Sequence, residues 1–391
     1  MRAEQESEVI DAVRWAHDKR TPLEIVANGT KRAFGNTSLG EPLDVSGLAG
    51  IVSYEPEELI VTARPGTTLS ELRAVLSEKK QQLGFEPPEW APFFGASADS
   101  TLGGILSVDA AGPGRVRYGG ARDHLLGIRA VNGFGAGFRA GGRVVKNVTG
   151  FDIPKLICGS FGTLCILTEV TLRVFPKPAL SATLAVRNVS APEGLALLRR
   201  VWASPLESSG LSYLPDRLSP ATASTTGTAL IRFDGAQEPL AERLALASPL
   251  LQGMETDTHD GDEHFAPVAD GSLFRDLSLD VWRVYVPPTQ ALPFLDEAAP
   301  AGWIADWAGG LLWVGLETGD ATARTRLARA AARSGAQAIR MRGDPKTRNR
   351  SGIVEPEDAG LHTVLAAVKR AFDPLALLNR DRLYDDEVHD A

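Results

Sequence analysis

Residues 95–178 read GASADSTLGGILSVDAAGPGRVRYGGARDHLLGIRAVNGFGAGFRAGGRVVKNVTGFDIPKLICGSFGTLCILTEVTLRVFPKP, and this stretch decides the fold. Glycine is denser here than in the rest of the chain and stands beside Ser, Thr and Ala between short β-branched runs. Because glycine costs backbone entropy, this density indicates that main chain approaches a ligand closely, with N–H groups pointing at it. No spacing repeats at a fixed period, which argues against a structural array.

Length, charge and cysteine count bound the class of protein. The chain has 391 residues, enough for about two or three domains, and a formal net charge of −8, which argues against general nucleic-acid binding. Cys158 and Cys165 are too few for a disulfide framework or an iron–sulfur site and suit a reducing cytoplasm. The N-terminus lacks the apolar core of a signal peptide, and no apolar run approaches ~20 residues, so no direct membrane insertion is expected.

The first candidate site is the turn Asn28-Gly29-Thr30-Lys31, which follows a predicted strand at 23–27. Asn-Gly favours positive φ, and successive N–H groups in such a turn form an anion-binding nest. Lys31 and Arg32 add positive charge beside it. One interpretation is a pyrophosphate cradle and the other is a surface turn with two solvated bases; the residues alone leave both open.

The second candidate site is Thr101-Leu102-Gly103-Gly104, which opens into one or two predicted helical turns. A helix N-terminus preceded by glycines suits phosphate. Upstream, residues 42–53 and 59–64 predict two strands. Thr67 or Thr68 is predicted to be the N-cap of a helix that ends near Lys79, and Glu71 follows Thr68 by three residues as in a capping box.

The glycines of the GFGAG run at 133–137 resemble a dinucleotide fingerprint, but that pattern requires strand, glycine turn and helix in succession. Here the predicted strand 125–132 is followed by a turn at 133–142 and a return strand at 143–150. The sequence therefore predicts a β-hairpin, with a short helix over 151–160 and a strand over 166–176 after it.

Strands and helices alternate from residue 179 to about residue 342 in the β-α-β-β-α-β texture of a ferredoxin-like sheet. The Asp-, His- and Gly-rich segment 252–277 is predicted to be a loop, and residues 361–372 a helix. Trp282, Trp303, Trp307 and Trp313 fit the core and rim of this sheet better than the wall of a substrate pocket, since large aromatic side chains dominate cores.

Four pieces of the sequence occur together in a recognisable order: the turn at 28–31 after a strand, Thr101-x-Gly103-Gly104, KNVTGFD at 146–152, and GS-x-GTL-x-ILTE at 159–169. Together they resemble the FAD-binding domain of the vanillyl-alcohol oxidase type, also called the PCMH fold. FDPLALLNRDR at 372–382 is similar to the closing segment of FAD-linked 2-hydroxy-acid dehydrogenases. GP-x-R-x-RYGGARDHLLG at 112–127 is most similar to the smaller FAD-binding subunits of bacterial glycolate oxidases.

This resemblance implies an α+β fold, in which a PCMH-type FAD-binding domain of two α+β subdomains carries a ferredoxin-like α+β cap domain. The implied domains are 1–178 for FAD binding, 179–342 for the cap, and a C-terminal segment, 343–391, that returns to the FAD domain. The residues implied to bind FAD are Asn28, Gly29, Thr30, Lys31, Gly95, Ala96, Ser97, Thr101, Gly103, Gly104, Ser107, Gly112, Tyr118, Arg122, Asp123, Cys165 and Ile166. Lys146 or Arg122 is implied to stabilise the reduced flavin, and Arg380 and Arg382 to approach it from the tail.

The resemblance also implies the activity: a FAD-binding subunit of a complex that oxidises glycolate, a small 2-hydroxy acid, to glyoxylate. The implied partners are a larger FAD-binding catalytic subunit and an iron–sulfur subunit, in the cytoplasm or peripheral to the inner membrane through those partners. A self-sufficient FAD enzyme for another 2-hydroxy acid or alcohol, and a scaffold subunit that retains only the fold, are the alternatives.

The sequence departs from relatives of this type at three places. No His or Cys stands at the usual attachment position of the first turn, so the FAD is expected to be noncovalent. Phe161 and Cys165 replace the usual Glu and Gly. His259 and His264 stand five residues apart without further partners, so no metal site is expected. The basic run Arg340, Arg342, Lys346, Arg348 and Arg350 suits a bound carboxylate, a solvated loop or a partner contact.

Overall fold

The computed structural model describes residues 1–142, 151–218, 225–275, 278–343, 353–354 and 359–383. The chain divides into two compact units. The first comprises Met1–Ala111, Gly119–Lys177 and Asp358–Ala391, and the second comprises Gly112–Tyr118 and Pro178–Glu357. Residues 112–118, which the sequence assigned to the first domain, group with the second unit.

The helices are, in chain order, α1 (Glu6–Lys19), α2 (Leu69–Glu78), α3 (Leu102–Ser107), α4 (Arg115–Tyr118), α5 (Ala121–His124), α6 (Ile153–Ile157), α7 (Ala191–Trp202), α8 (Gln237–Ala247), α9 (Ala266–Asp270), α10 (Ala291–Ala298), α11 (Ala321–Ser334) and α12 (Ala359–Phe372). The strands are β1 (Leu23–Val26), β2 (Glu41–Asp44), β3 (Ile51–Glu55), β4 (Ile60–Ala63), β5 (Gln81–Gln82), β6 (Leu125–Asn132), β7 (Gly137–Gly141), β8 (Cys165–Arg173), β9 (Phe175–Pro176), β10 (Leu180–Ser190), β11 (Gly210–Pro215), β12 (Thr226–Gly235), β13 (Glu255–Asp260), β14 (Leu279–Tyr285), β15 (Gly302–Asp306), β16 (Leu311–Glu317), β17 (Gln337–Arg342) and β18 (Ile353–Val354).

The first unit is built on an antiparallel five-stranded sheet in the order β3-β4-β8-β6-β7, beside a separate parallel pair of β1 and β2. Strand β6 has the predicted bounds, and β7 returns antiparallel to it with no helix after the glycine turn. The hairpin interpretation of 133–137 is therefore confirmed. The return strand begins at Gly137, inside the stretch predicted to be turn, and residues 143–150 lie outside the described residues.

One strand prediction was wrong in this unit, because residues 42–53 form two strands that belong to different sheets. Strand β2 pairs with β1 and ends where the Asp44 side chain accepts a hydrogen bond from the Ser46 N–H at 2.8 Å. The chain then turns before β3 joins β4. Helix α2 begins as predicted, since Thr68 is its N-cap and accepts from the Glu71 N–H at 3.2 Å.

The second unit contains one nine-stranded sheet, in the order β13-β10-β12-β11-β15-β16-β14-β17-β18. Its strands fall into two successive β-α-β-β-α-β modules, β10 to β13 and β14 to β17, each with the fourth, first, third and second strand adjacent. The predicted ferredoxin-like texture is therefore present twice, and the modules join edge to edge where Tyr213 of β11 pairs with Ala305 of β15. The predicted loop 252–277 was wrong, because it contains β13, the edge strand paired with β10, and α9.

The apolar core of the second unit lies on the face of this sheet that carries the helices. One continuous cluster includes residues of α7, α8, α10 and α11 together with Trp282 and Trp303. Trp303 stacks on Tyr213 with ring centroids 5.6 Å apart. These two tryptophans are core residues, as predicted from the packing of large aromatic side chains, and the rings of Trp307 and Trp313 flank the Arg283 guanidinium.

Candidate functional site

The candidate site is a solvent-open cleft in the first unit. It lies among the turn after β1, helix α3, the start of β8 and the C-terminal tail. The lining residues are Glu24, Ile25, Val26, Ala27, Asn28, Gly29, Thr30, Lys31, Arg32, Val45, Pro65, Thr101, Gly103, Gly104, Ser107, Val108, Phe161, Gly162, Cys165, Ile166, Leu167, Asn379 and Arg382.

The turn after β1 forms one wall, and its shape follows from the predicted Asn-Gly pair. Gly29 has φ +69°, the left-handed conformation that favours glycine. The Asn28 side-chain amide donates to the Asp99 carbonyl at 2.8 Å, which ties this turn to the segment that leads into α3. The Arg32 guanidinium pairs with the Glu24 carboxylate, so the turn carries one compensated cation.

Lys31 is the second cation of the turn, and it is buried rather than solvated. Its Nζ donates to Ser100 Oγ at 2.7 Å and lies 3.4 Å from Thr30 Oγ1. Burial lowers the pKa of the ammonium from its ordinary 10.5 to about 8, against the opposing charges of Glu89 and Asp99. A buried cation that lines a cleft beside an amide-rich turn favours the anion-cradle interpretation over the surface turn.

Helix α3 forms the opposite wall, and its two glycines have different roles. Thr101 is its N-cap, and its hydroxyl accepts from the Gly104 N–H at 3.4 Å. A Cβ at Gly103 would lie 2.9 Å from Pro65 Cβ, so this glycine permits close packing of the main chain. A Cβ at Gly104 would meet nothing closer than 3.4 Å, so its missing side chain leaves space beside Lys31.

The C-terminal tail closes the cleft through Asn379 and Arg382. Asn379 accepts from the Ile25 N–H of β1 and donates to the Phe161 carbonyl, both at 2.8 Å, and so bridges two walls. Arg382 donates to the Lys31 carbonyl at 2.8 Å. Asp373 anchors the tail: it accepts from the Leu377 and Leu378 N–H groups and pairs with Lys369 Nζ at 2.8 Å.

The structure brings together ten of the seventeen residues predicted to bind cofactor: Asn28, Gly29, Thr30, Lys31, Thr101, Gly103, Gly104, Ser107, Cys165 and Ile166. Five others of the first unit do not line the cleft: Gly95, Ala96, Ser97, Arg122 and Asp123. The Ala96 N–H is committed to the Ala91 carbonyl, and the Asp123 carboxylate accepts from the Gly120 N–H. Gly112 and Tyr118 belong to the second unit, and Lys146 lies outside the described residues.

Several lining residues carry no sequence signal of their own. Val45, Pro65, Val108 and Leu167 are ordinary apolar positions in separate elements, and only the fold makes them neighbours. Of the two tail arginines predicted to approach the flavin, Arg382 lines the cleft and Arg380 does not. Asn379, three residues before Arg382, also lines the cleft and was missed in the sequence. The buried Cys165 thiol also lines the cleft, and desolvation raises its pKa far above the usual range, so the thiol stays protonated.

A second polar cluster lies within the second unit. The buried Asp306 carboxylate accepts from Ser212 Oγ and from the Trp307 N–H, both at 2.8 Å. Burial raises its pKa to about 6, against those hydrogen bonds and the charges of Arg283 and Arg232. The Arg115 guanidinium lies 4.4 Å from the centroid of the Trp307 ring, whose Nε1 donates to the Gly112 carbonyl at 3.0 Å. These contacts hold residues 112–118 against the sheet.

The structure places His259 on strand β13 and His264 in the segment between β13 and α9. The rings of His259 and His264 lie with centroids 4.5 Å apart. Within the described part of the chain, no group of three or more His, Cys, Asp or Glu side chains is placed to hold a metal ion. No helix among the described residues is long and apolar enough to cross a membrane. Lys346, Arg348 and Arg350 of the basic run lie outside the described residues, while Arg340 is buried beside Asp280 at 3.9 Å.

Lys31 gives a stability prediction for the ligand-free chain. Its pKa is about 8 when folded and 10.5 ordinarily, so the unfolded chain binds more protons between these two pH values. We expect the free energy of unfolding of the wild type, relative to Lys31→Met, to rise between pH 8 and pH 10.5 by about 3 kcal/mol. Urea unfolding of both proteins across this range measures the difference. A difference that does not change with pH contradicts the burial of a charged Lys31.

The residues of the cleft fit FAD. The turn at 28–31 and the Lys31 ammonium suit the two phosphates, because both offer positive charge or N–H donors to an anion. Ile25, Val45 and Leu167 provide apolar surface along the same cleft for the flat parts of the molecule.

Comparison with known proteins agrees with this fit. A family described as an FAD binding domain matches residues 1–141. Glycolate oxidase subunit GlcE of Escherichia coli (strain K12) is 32% identical over 378 residues, which cover 96% of both chains. Glycolate oxidase subunit GlcD of Bacillus subtilis (strain 168) is 33% identical over 170 residues, 43% of this chain and 34% of that protein.

Solved structures share the fold. p-Cresol methylhydroxylase with bound substrate superposes with a TM-score of 0.70 at 16% identity, over 98% of this chain and 88% of that one. Alkyldihydroxyacetonephosphate synthase superposes with a TM-score of 0.68 at 14% identity, over 97% and 76%.

Fold, cleft and matches define the class: the chain is a FAD-dependent oxidoreductase with a PCMH-type FAD-binding domain, and FAD is its cofactor. More narrowly, the similarity over nearly the whole of both chains shows that it belongs to the GlcE family of glycolate oxidase subunits.

Proposed function

We propose that this chain is the FAD-binding subunit of a complex that oxidises glycolate to glyoxylate and passes the electrons to an iron–sulfur partner. The observation that carries the proposal is the 32% identity to GlcE over 96% of both chains, combined with a cleft suited to FAD. Relatives named D-lactate dehydrogenase support a small 2-hydroxy acid as the class of substrate.

Within the proposal, the chain's own residues hold the cofactor. The turn at 28–31 and the Lys31 ammonium bind its phosphates, Gly104 leaves room for them, and Asn379 and Arg382 close the cleft from the tail. Oxidation of glycolate removes two electrons and two protons, and bound FAD supplies the acceptor for the electron pair. The FAD is noncovalent in this proposal, since the one cysteine of the cleft, Cys165, is buried with a raised pKa.

The proposal of an iron–sulfur partner follows from the cysteine count. Clusters are usually held by about four cysteine thiolates, and the chain has two cysteines. Both are buried, and desolvation raises the pKa of both thiols far above the usual range. Onward transfer of electrons to a cluster therefore requires another chain, and a larger FAD-binding subunit such as GlcD is the second proposed partner.

Anaerobic titration with glycolate tests the proposal. We expect the complex purified from its native source to lose flavin absorbance on addition of glycolate, whereas the isolated chain, reconstituted with FAD, keeps its flavin oxidised. Bleaching of the isolated chain by glycolate or D-lactate would instead support a self-sufficient 2-hydroxy-acid enzyme. A complex that does not respond to glycolate would contradict the proposed substrate.

A further inference from the structure

Glu89 lies outside the lining of the cleft, yet its carboxylate is fully engaged just behind it. One oxygen, Oε1, accepts from Ser100 Oγ at 2.6 Å and from the Ala91 N–H at 3.0 Å. The other, Oε2, accepts from the Ser100 N–H at 3.0 Å. A carboxyl group held by three donors at these distances has a fixed position.

Ser100 connects Glu89 to Lys31, because its hydroxyl makes a hydrogen bond to each of these side chains. A serine hydroxyl has one proton to donate, and Ser100 donates it to Glu89 Oε1. The remaining lone pairs of Ser100 Oγ are therefore available to Lys31 Nζ, which donates to them at 2.7 Å. Ser100 is fully buried and Lys31 is 7% exposed, so the hydrogen bond between these two side chains is shielded from water.

We infer that Glu89 is a positioning residue for the cofactor: through Ser100 it keeps the Lys31 side chain charged and oriented at the wall of the cleft. The inference rests on the proposed binding of FAD in this cleft. Burial alone favours the neutral amine, which offers a phosphate no positive charge. The carboxylate of Glu89 opposes that effect, and the hydrogen-bonded serine holds the ammonium in one place.

Several other charged groups surround Lys31, and they differ in how strongly they affect its charge. Asp99 is the second carboxylate that favours the charged lysine, and its side chain is held by Ser70 and by a hydrogen bond to the Glu89 side chain. Arg73 faces the same two carboxylates from α2 and donates to the Pro87 carbonyl at 2.8 Å. On the turn itself, Arg32 pairs with Glu24. The Arg382 guanidinium donates a hydrogen bond to the Lys31 carbonyl. Glu89 is the carboxylate with the larger influence on Lys31, and Asp99 has the smaller one.

The inference predicts how the affinity for FAD depends on pH. A phosphate group binds the ammonium better than the amine, so affinity falls as pH rises through the pKa of Lys31 in the ligand-free chain, about 8. In Glu89→Gln the charge that supports the ammonium is lost, and the fall moves to lower pH. We expect the dissociation constant of FAD at pH 8 to rise about three- to tenfold in Glu89→Gln and less in Asp99→Asn.

The experiment is equilibrium titration with FAD, followed by flavin fluorescence, of wild type, Glu89→Gln, Asp99→Asn and Ser100→Ala between pH 6 and pH 9.5. Ser100→Ala leaves Glu89 its backbone donors but cuts the link, so it tests the inference even where Glu89→Gln does not fold. The expected result is a midpoint that moves to lower pH in both Glu89→Gln and Ser100→Ala. Profiles in either variant that shift in overall affinity but keep the wild-type midpoint overturn the positioning role.

A variant that blocks the cleft sterically tests separately whether FAD binds in this cleft and whether Glu89 has the proposed role. Gly104→Val fills the cleft without touching Glu89 or Ser100. If Gly104→Val binds FAD as the wild type does, FAD does not occupy this cleft, and both the proposed site and the role of Glu89 fail. If Gly104→Val loses FAD and the midpoint of Glu89→Gln is unchanged, only the role of Glu89 fails.

Discussion

Gly104→Val is expected to abolish FAD binding while the chain keeps its fold. A Cβ at this position would lie 3.4 Å from Thr101 Oγ1 and 4.0 Å from Lys31 Nζ, which are ordinary contact distances, so the protein itself accommodates a side chain. The branched methyl groups would occupy the space beside Lys31 that the proposed phosphate site needs. We expect the dissociation constant of FAD to rise at least about a hundredfold, equivalent to a loss of about 2.7 kcal/mol.

The measurement is FAD titration beside far-ultraviolet circular dichroism and urea unfolding of the ligand-free protein. Gly142→Val is the matched control, since a Cβ there would meet no atom of the described residues within 4 Å, and its FAD affinity should equal that of the wild type. Gly103 is unsuited to this test, because its Cβ would clash with Pro65 and disturb the packing of α3. Folded Gly104→Val with unchanged FAD affinity would show that FAD binds elsewhere.

Gly104 illustrates what the sequence could predict of the site. Two local signals, an Asn-Gly turn after a strand and a Thr-capped glycine pair before a helix, identified the two facing walls, because each needs only a few adjacent residues. Residues 95–97, predicted from the same density of glycine, do not line the cleft. There the Ala96 N–H is already bonded within the chain, a fact that depends on how the loop folds back rather than on its composition.

The elements of the fold that depend on local sequence could likewise be predicted, and others could not. The hairpin of β6 and β7 and the cap of α2 follow from local turn and cap chemistry, and the ferredoxin-like modules follow from the alternation of elements. Strand β13 was missed because Glu255–Asp260 is an edge strand with charged and polar side chains, mostly exposed. Such a strand lacks the apolar alternation by which strands are found in a sequence, and charges of this kind protect a sheet edge.

The third wall of the cleft shows where local reasoning ends. Asn379 bonds to Ile25, 354 residues away, and to Phe161, 218 residues away. Nothing in the residues around Asn379 specifies those partners. The parallel bridge between Leu23 and Leu378, and the burial of Leu377 and Leu378 against α1 and β1, bring the asparagine there. A glycine-rich turn can be read from the sequence, but a wall assembled from both ends of the chain requires the fold.

Asp373→Ala is the second prediction with a large expected effect, because this side chain sets the conformation of the tail. Asp373 is 1% exposed and accepts from the Leu377 N–H at 3.0 Å and the Leu378 N–H at 2.8 Å. It also pairs with Lys369, whose Nζ is 2.8 Å away. Removal of the carboxylate leaves two buried N–H groups and a largely buried cation with fewer partners. We expect a loss of about 3–5 kcal/mol in the free energy of unfolding of the first unit.

Asp373→Ala should weaken the binding of FAD as well as lower the stability of the first unit. When the tail detaches, Asn379 no longer links β1 to the Phe161 loop and Arg382 leaves the Lys31 carbonyl, so the FAD dissociation constant should rise at least about tenfold. Urea unfolding and FAD titration of Asp373→Ala measure the two effects. Lys369→Met should cost less stability, because Asp373 keeps both backbone donors, and Asp18→Ala, an exposed acid on α1, should be close to wild type.

The two readouts decide whether the tail belongs to the site or only to the stability of the unit. At a temperature where both proteins are fully folded, a destabilised but otherwise intact cleft would bind FAD with wild-type affinity. Weakened binding under those conditions requires that Asn379 and Arg382 hold the walls in the binding geometry. Wild-type affinity in folded Asp373→Ala would therefore remove the tail from the cofactor site and leave Lys31 and α3 as its walls. Unchanged stability would contradict the buried anchor itself.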